Sequence, residues 1–161
     1  IKYFFSKVVK TPREAIRAVS SGQTVAIGGF GICGVPMNLI NQLLEEPLEN
    51  LTVISNTAGT DDWGVGVLLS KPGKVKRVIG SYFGNNHEFQ RQYLQGELEV
   101  ELMPQGLFKH VGTLAQKLKS HSAGLPGFYT PTGFNTLYST GKLPIKYKKG
   151  GKEVEIYSKP K

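Results

Sequence analysis

Ser21-Gly22-Gln23-Thr24-Val25-Ala26-Ile27-Gly28-Gly29-Phe30-Gly31-Ile32-Cys33-Gly34-Val35-Pro36 runs a short apolar strand into a glycine-rich loop that closes on a proline. Four of the seven residues from Gly28 to Gly34 are glycine, the residue that tolerates positive φ and carries no Cβ. Such a loop brings backbone close to a ligand and can turn its N–H groups toward an anion or an oxyanion. Val35-Pro36 then opens a helix, because proline is pre-organised for the first helical position. Gly29-Phe30-Gly31-Ile32-Cys33-Gly34 matches the dinucleotide fingerprint letter for letter. That fingerprint also needs an acidic residue about twenty positions on, at the end of the second strand. Here the second strand, Leu51-Thr52-Val53-Ile54-Ser55-Asn56, ends in a hydroxyl and an amide. The plain alternative is a tight strand-to-helix turn that holds no ligand.

Outward from this stretch, apolar segments alternate in type. Thr11-Pro12-Arg13-Glu14 is a capping box that starts a helix over 12–20, with Ala15, Ile16 and Val19 on one face. Met37, Ile40, Leu43 and Leu44 make the helix after the glycine loop amphipathic. A small-residue apolar segment over 64–69, a strand over 75–79 and a helix over 86–95 form a second round, with Phe89, Tyr93 and Leu94 inward and Gly96 as the left-handed cap. In strand 98–102, Leu98, Val100 and Leu102 alternate with Glu99 and Glu101, which places the two acids toward solvent on an edge strand. A helix over 113–119, a strand near Phe128 and a hairpin turning at Lys149-Gly150-Gly151-Lys152 complete the reading. Strands alternating with helices imply an α/β fold: an open, mostly parallel sheet with helices on both faces and a β-hairpin near the C-terminus. Ligands of such sheets sit at the carboxyl ends of the strands. That rule selects the loop over 28–34, Asn56-Thr57-Ala58-Gly59, the segment over 81–86 and Pro104-Gln105-Gly106. All four are rich in glycine and uncharged amides, groups suited to gripping a carboxylate or thioester oxygen.

A length of 161 residues with 39% hydrophobic residues fits one folded, soluble domain with its own core. No apolar run approaches the roughly 20 residues of a membrane-spanning helix. Cys33 is the only cysteine, which excludes an internal disulfide and a cysteine metal cage. Between an apolar residue and a glycine, with no cation beside it in sequence, it reads as a small packing residue rather than a nucleophile. The formal net charge is +8, and Lys142, Lys146, Lys148, Lys149, Lys152, Lys159 and Lys161 concentrate it near the C-terminal end. Tyr147 and Tyr157 among them suit phosphate contact with base stacking, but Glu153 and Glu155 interrupt the field and no nucleic-acid motif is present. A solvated hairpin face is the favoured reading. Residues 1–10 lack the marks of a transit or secretory peptide, and the strand-like run before Lys161 suggests a fragment.

Gly28-Gly29-Phe30 with Gly34 and Pro36 resembles the glycine signature of the family I coenzyme A transferases. Ser55-Asn56 with Ala58-Gly59, Ser81-Tyr82, Gln90-Arg91-Gln92-Tyr93-Leu94, the run from Gly96 to Leu102, Pro104-Gln105-Gly106 and Tyr129-Thr130-Pro131-Thr132-Gly133 resemble successive blocks of its succinyl-CoA:3-ketoacid branch. The likeness spans nearly the whole chain in order. It implies a CoA-transferase (NagB/RpiA-like) fold, with residues 1–161 as the N-terminal part of the A domain. It also implies movement of coenzyme A from succinyl-CoA to an acid such as acetoacetate, in the mitochondrial matrix. In the family a glutamate attacks the thioester, and an anhydride and then a glutamyl-CoA thioester follow. That glutamate belongs to a B domain or subunit, and no glutamate here matches its motif. Coenzyme A is then a substrate; no permanent cofactor, metal, nucleic acid or membrane is implied, and the complete protein is expected to be a homo-oligomer. By position, Gly28, Gly29, Phe30, Gly31, Gly34, Asn56 and Gln105 are the substrate-binding candidates, with Gln105 the donor to a developing oxyanion.

Three departures accompany the likeness. Thr57 stands where the branch has a second asparagine, Asn85 where it has a glutamate, and residues 107–112 look like an insertion behind Gln105. They keep open a non-catalytic homologue with a regulatory or binding role, beside the enzyme reading and a basic binding module.

Overall fold

The computed structural model describes residues 8–105 and 112–161. Four parallel strands, β1 (Thr24–Ile27), β2 (Leu51–Ser55), β3 (Val75–Gly80) and β4 (Glu99–Leu102), lie in the order β1-β2-β3-β4. Thr24 pairs with Thr52, Val53 with Val78, and Val78 with Val100. Because the order never reverses and crossovers are right-handed, the connecting helices share one face. They are α2 (Met37–Glu45), α3 (Gly66–Leu69) and α4 (His87–Leu94), with α1 (Pro12–Ile16) packed on α2. Ile40, Leu43, Val53, Leu68, Val78, Phe89 and Val100 form the core between them and the sheet.

The other face carries α5 (Thr113–Ser122) less closely. Between Thr24, Ile54 and Ile79 of the sheet and Leu114 and Leu118 of α5 lies a cavity of about 1070 Å³. Beyond it, a short helix α6 (Leu137–Thr140) leads into an antiparallel hairpin of β5 (Pro144–Tyr147) and β6 (Val154–Tyr157). Gly150 (φ 90) and Gly151 (φ 72) form the turn. The charged face of the hairpin is solvated, as expected, with Lys148, Lys149, Lys152, Glu153 and Glu155 exposed, while its other side packs on the domain. Tyr93 donates to the Pro144 carbonyl at 2.7 Å and meets Tyr147 edge-on at 5.2 Å, and burial with the neighbouring Tyr147 pushes its hydroxyl up to about 12. Two of its lysines are paired across the hairpin: Lys146 with Glu155 and Lys148 with Glu153.

Most boundaries agree with the sequence reading, and the differences have local causes. Thr11 caps α1 as expected, accepting from Glu14 N at 3.2 Å, while the Glu14 carboxylate reaches back to Lys10 N. The helix ends at Ile16, short of residue 20, and Ala15 is exposed. Ser20 N is drawn off to the Gln23 side chain, and Gly22 turns the chain at φ 80. Pro36 sits one position earlier than expected, as the N-cap of α2. On α4, Leu94 is exposed and Gln92 takes the buried place, donating to the Leu69 carbonyl at 2.7 Å. Phe128 lies in irregular structure rather than a strand. Cys33 is exposed, so it is not a packing residue.

Glu101 is the largest correction. It is buried, not solvated, and Leu102 is exposed instead. Arg77 pairs with it at 2.5 Å, Lys161 donates to its other oxygen, and Lys117 lies at 3.9 Å. Burial alone raises the Glu101 carboxyl, but Lys161, Lys117 and Arg77 outweigh it and hold the group below the usual carboxylate range. Glu101→Gln is therefore expected to cost about 2 kcal/mol near neutrality, below the 3–5 of a fully buried pair because the cations are partly exposed. A carboxyl depressed in the folded state stabilises above its unfolded value and loses that contribution as pH falls through the folded one. The gap in urea midpoint between wild type and Glu101→Gln should thus shrink on acidification below about pH 4; a gap that widens there would contradict the assignment.

Candidate functional site

Each strand end delivers its loop to the same edge of the sheet. Gly28 continues β1, and Gly29 follows at φ 131, where an added Cβ would lie 2.8 Å from Val35 Cγ2. Phe30 and Cys33 then exchange backbone hydrogen bonds of 2.9 and 3.0 Å, closing a tight turn with Gly31 at φ 60 and Gly34 at φ 66. Three positive φ values in six residues explain why the loop is written in glycine. The turn leaves Phe30 and Ile32 exposed at its tip.

Beyond β2, the Asn56 carbonyl accepts from Ser81 N and Tyr82 N, which carries the sheet pairing past its last strand residues. Beyond β4, Met103 N donates to the Gly80 carbonyl, and the chain crosses the end of β3 so that Gln105 Nε2 reaches Asn56 Oδ1 at 2.8 Å. Gly28, Gly29, Ser55, Asn56 and Gln105 line one cleft of about 290 Å³, closed on its apolar side by Ile54, Leu114 and Leu118. Four of the sequence-selected residues, Gly28, Gly29, Asn56 and Gln105, are thus brought together. Phe30, Gly31 and Gly34 are carried past the cleft by the turn. Tyr82 bridges to Thr57 rather than entering the cleft, and its hydroxyl donates to Asn85 Oδ1 at 3.2 Å. Of the insertion, residues 107–111 lie outside the described residues, and Gly112 is the N-cap of α5.

The chemistry of the cleft follows from its donors. An amide offers two N–H groups and one carbonyl. With Asn56 Oδ1 accepting from Gln105, the Asn56 Nδ2 group and the second Gln105 N–H remain as donors without fixed charge. Neutral donors of this kind stabilise negative charge that develops on an oxygen during reaction. The described residues lining the cleft include no carboxylate, imidazole or amine. The cleft can hold and polarise an acyl group, and its described walls supply no base or carboxylate nucleophile.

Trp63 lies outside the loops that the sequence selects, and Thr57 lies in one of them without being a binding candidate, yet both touch the glycine turn. Thr57 Oγ1 donates to the Gly31 carbonyl at 3.3 Å and Trp63 Nε1 to the Ile32 carbonyl at 3.2 Å. Only tertiary structure shows these contacts, since 26 and 31 residues separate the partners.

Glycine and amide loops are gathered at the carboxyl edge of a parallel α/β sheet, the edge at which such sheets carry their ligands. The match to the coenzyme A transferase family runs over residues 9–161, and the chain belongs to that family. It is 46% identical over 136 residues to a Bacillus subtilis subunit named as a probable succinyl-CoA:3-ketoacid coenzyme A transferase, covering 84% of this chain and 54% of that one. It is 44% identical over 156 residues to the human mitochondrial succinyl-CoA:3-ketoacid coenzyme A transferase 2, covering 97% of this chain and 29% of the relative. The chain thus spans about half or less of the length of these relatives. A crystal structure of an acyl-CoA transferase from E. coli O157:H7 shares the fold, with a TM-score of 0.65 at 24% identity over 80% of this chain and 26% of that one.

Proposed function

We propose that this chain is the N-terminal part of the A-type half of a CoA transferase, and that it holds the acyl group while a glutamate supplied by a B domain or subunit reacts. One observation carries the reading: the cleft joins two amide side chains to the glycine loop, while its described lining contains no carboxylate. The substrates are succinyl-CoA and a 3-ketoacid such as acetoacetate, by likeness to relatives named for that exchange. The partner's carboxylate attacks the thioester carbon and expels the CoA thiolate, leaving a mixed anhydride. The thiolate then attacks the glutamyl carbonyl and releases succinate, and the second acid takes the CoA by the reverse sequence. Gln105 and Asn56 face the oxygen on which charge develops. Coenzyme A is a substrate throughout. A homo-oligomer in the mitochondrial matrix completes the reading, the location resting on the mitochondrial relatives.

The test combines this chain with a glutamate-bearing B subunit from a relative. Turnover of succinyl-CoA with acetoacetate is expected only from the combination, with the CoA adduct on the partner's glutamate by mass spectrometry. Turnover by this chain alone, or an adduct on it, would overturn the division of labour. Tight complex formation without turnover would favour a non-catalytic homologue, the reading to which Thr57 and Asn85 point.

A further inference from the structure

The glycine turn is held by its tip. Gly31 and Ile32 are adjacent, and their two carbonyls are taken by two side chains of one neighbouring loop, Thr57 and Trp63. That loop is itself pinned. Asn86, fully buried, donates to the carbonyls of Ala58 and Thr60, and the Thr57 hydroxyl also accepts from Gly59 N at 3.4 Å. A turn with three positive-φ glycines loses much conformational freedom when it is ordered, so side-chain tethers from a fixed loop decide whether it keeps one shape. Thr57 directly follows Asn56, one of the two amides of the cleft. The position of the glycine backbone and the position of an amide donor are therefore set by consecutive residues.

We propose that Thr57 and Trp63 are positioning residues that lock the Gly28–Gly34 turn against the Asn56–Gln105 amide pair, and that this lock sets which acid the cleft accepts. The second half rests on the transferase reading; the first does not. A misplacement of about 1 Å between reacting groups is enough to cost up to a hundredfold in rate. Without the lock the turn samples several positions, and the cleft no longer distinguishes acids by length.

Thr57→Val removes the hydroxyl at nearly constant volume, Trp63→Phe removes the N–H and keeps a ring, and Thr57→Ser restores the hydroxyl. In hydrogen exchange by NMR, the amides of Phe30 and Cys33, which close the turn, should lose about tenfold protection in Thr57→Val and in Trp63→Phe while the amides of β2 and β3 keep theirs. Thr57→Ser should recover most of it. In the reconstituted enzyme, Thr57→Val should lower kcat about tenfold for acetoacetate with little change in KM. It should also shrink the preference for acetoacetate over a longer 3-ketoacid, again with recovery in Thr57→Ser. Unchanged protection at Phe30 and Cys33 in both variants would overturn the lock, whatever the enzyme does. Lost protection with unchanged selectivity would overturn the specificity role. A wild-type reconstitution without turnover would remove the transferase reading and the specificity role together, leaving the lock to the exchange result.

Discussion

Asn86→Ala is expected to destabilise the fold by about 3–4 kcal/mol. Asn86 is fully buried and spends both ends of its amide. Its oxygen caps α4 by accepting from Phe89 N at 2.6 Å, and its nitrogen donates to Ala58 O at 3.3 Å and Thr60 O at 3.0 Å. Losing an N-cap costs about 1 kcal/mol, and each buried carbonyl left without its donor costs about 1 or more. Against a total stability of roughly 5–15 kcal/mol, that is a large share. The surroundings leave no room for an alternative, since a Cβ on Gly66 would fall 2.4 Å from the Asn86 nitrogen and 1.7 Å from the Thr60 carbonyl. Asn86→Ser should recover the cap alone, about 1 kcal/mol, and Asn86→Asp should do no better because it turns a second oxygen toward two carbonyls. Urea unfolding with unchanged m-values reads the difference. A loss under 1 kcal/mol in Asn86→Ala would show that the loop carrying Thr57 and Trp63 is held by something else.

The sheet was legible because buried parallel strands are short apolar runs, and β2 and β3 fall within a residue of their expected ends. Glu101 shows where a periodicity argument stops. The alternation in β4 is real: Glu99 and Glu101 share the face of their partners Arg77 and Ile79. That face is covered at Glu101, because α5 and the end of the chain bring Lys117 and Lys161 over it. No local pattern announces a cation 60 residues away. Leu102 lies on the core side but at the strand's end, where the helices no longer cover it, and is 47% exposed. The candidate cleft was legible in part for the same reason. Glycines and amides at strand ends can be read from order alone, whereas the tethers at Gly31 and Ile32 come from Thr57, which the sequence marks only as a departure beside Asn56, and from Trp63, which no local pattern marks.

Gln105→Ala is expected to lower turnover of the reconstituted transferase by about two orders of magnitude while changing the stability of this chain by less than roughly 1 kcal/mol. The small stability term follows from position, since Gln105 lies past the end of β4 and its side chain supports one hydrogen bond, to Asn56 at 2.8 Å. The large kinetic term follows from what that bond organises. By occupying Asn56 Oδ1, Gln105 leaves the Asn56 nitrogen to donate, so on the proposed reading Gln105→Ala removes one donor to the oxyanion and the partner that orients the other. Gln105→Glu separates the two effects. Its carboxylate cannot donate to Asn56 Oδ1, and it adds a negative charge where the reaction develops one, so it should be slower than Gln105→Ala. The losses should fall mainly in kcat, because an oxyanion donor acts in the transition state more than on the bound thioester. The measurement belongs in two backgrounds, with residues 107–112 present and deleted, since that insertion directly follows Pro104-Gln105-Gly106 in the chain. Unchanged turnover for Gln105→Ala in both would remove Gln105 from the reaction and leave Asn56 and the glycine backbone as the donors of the cleft.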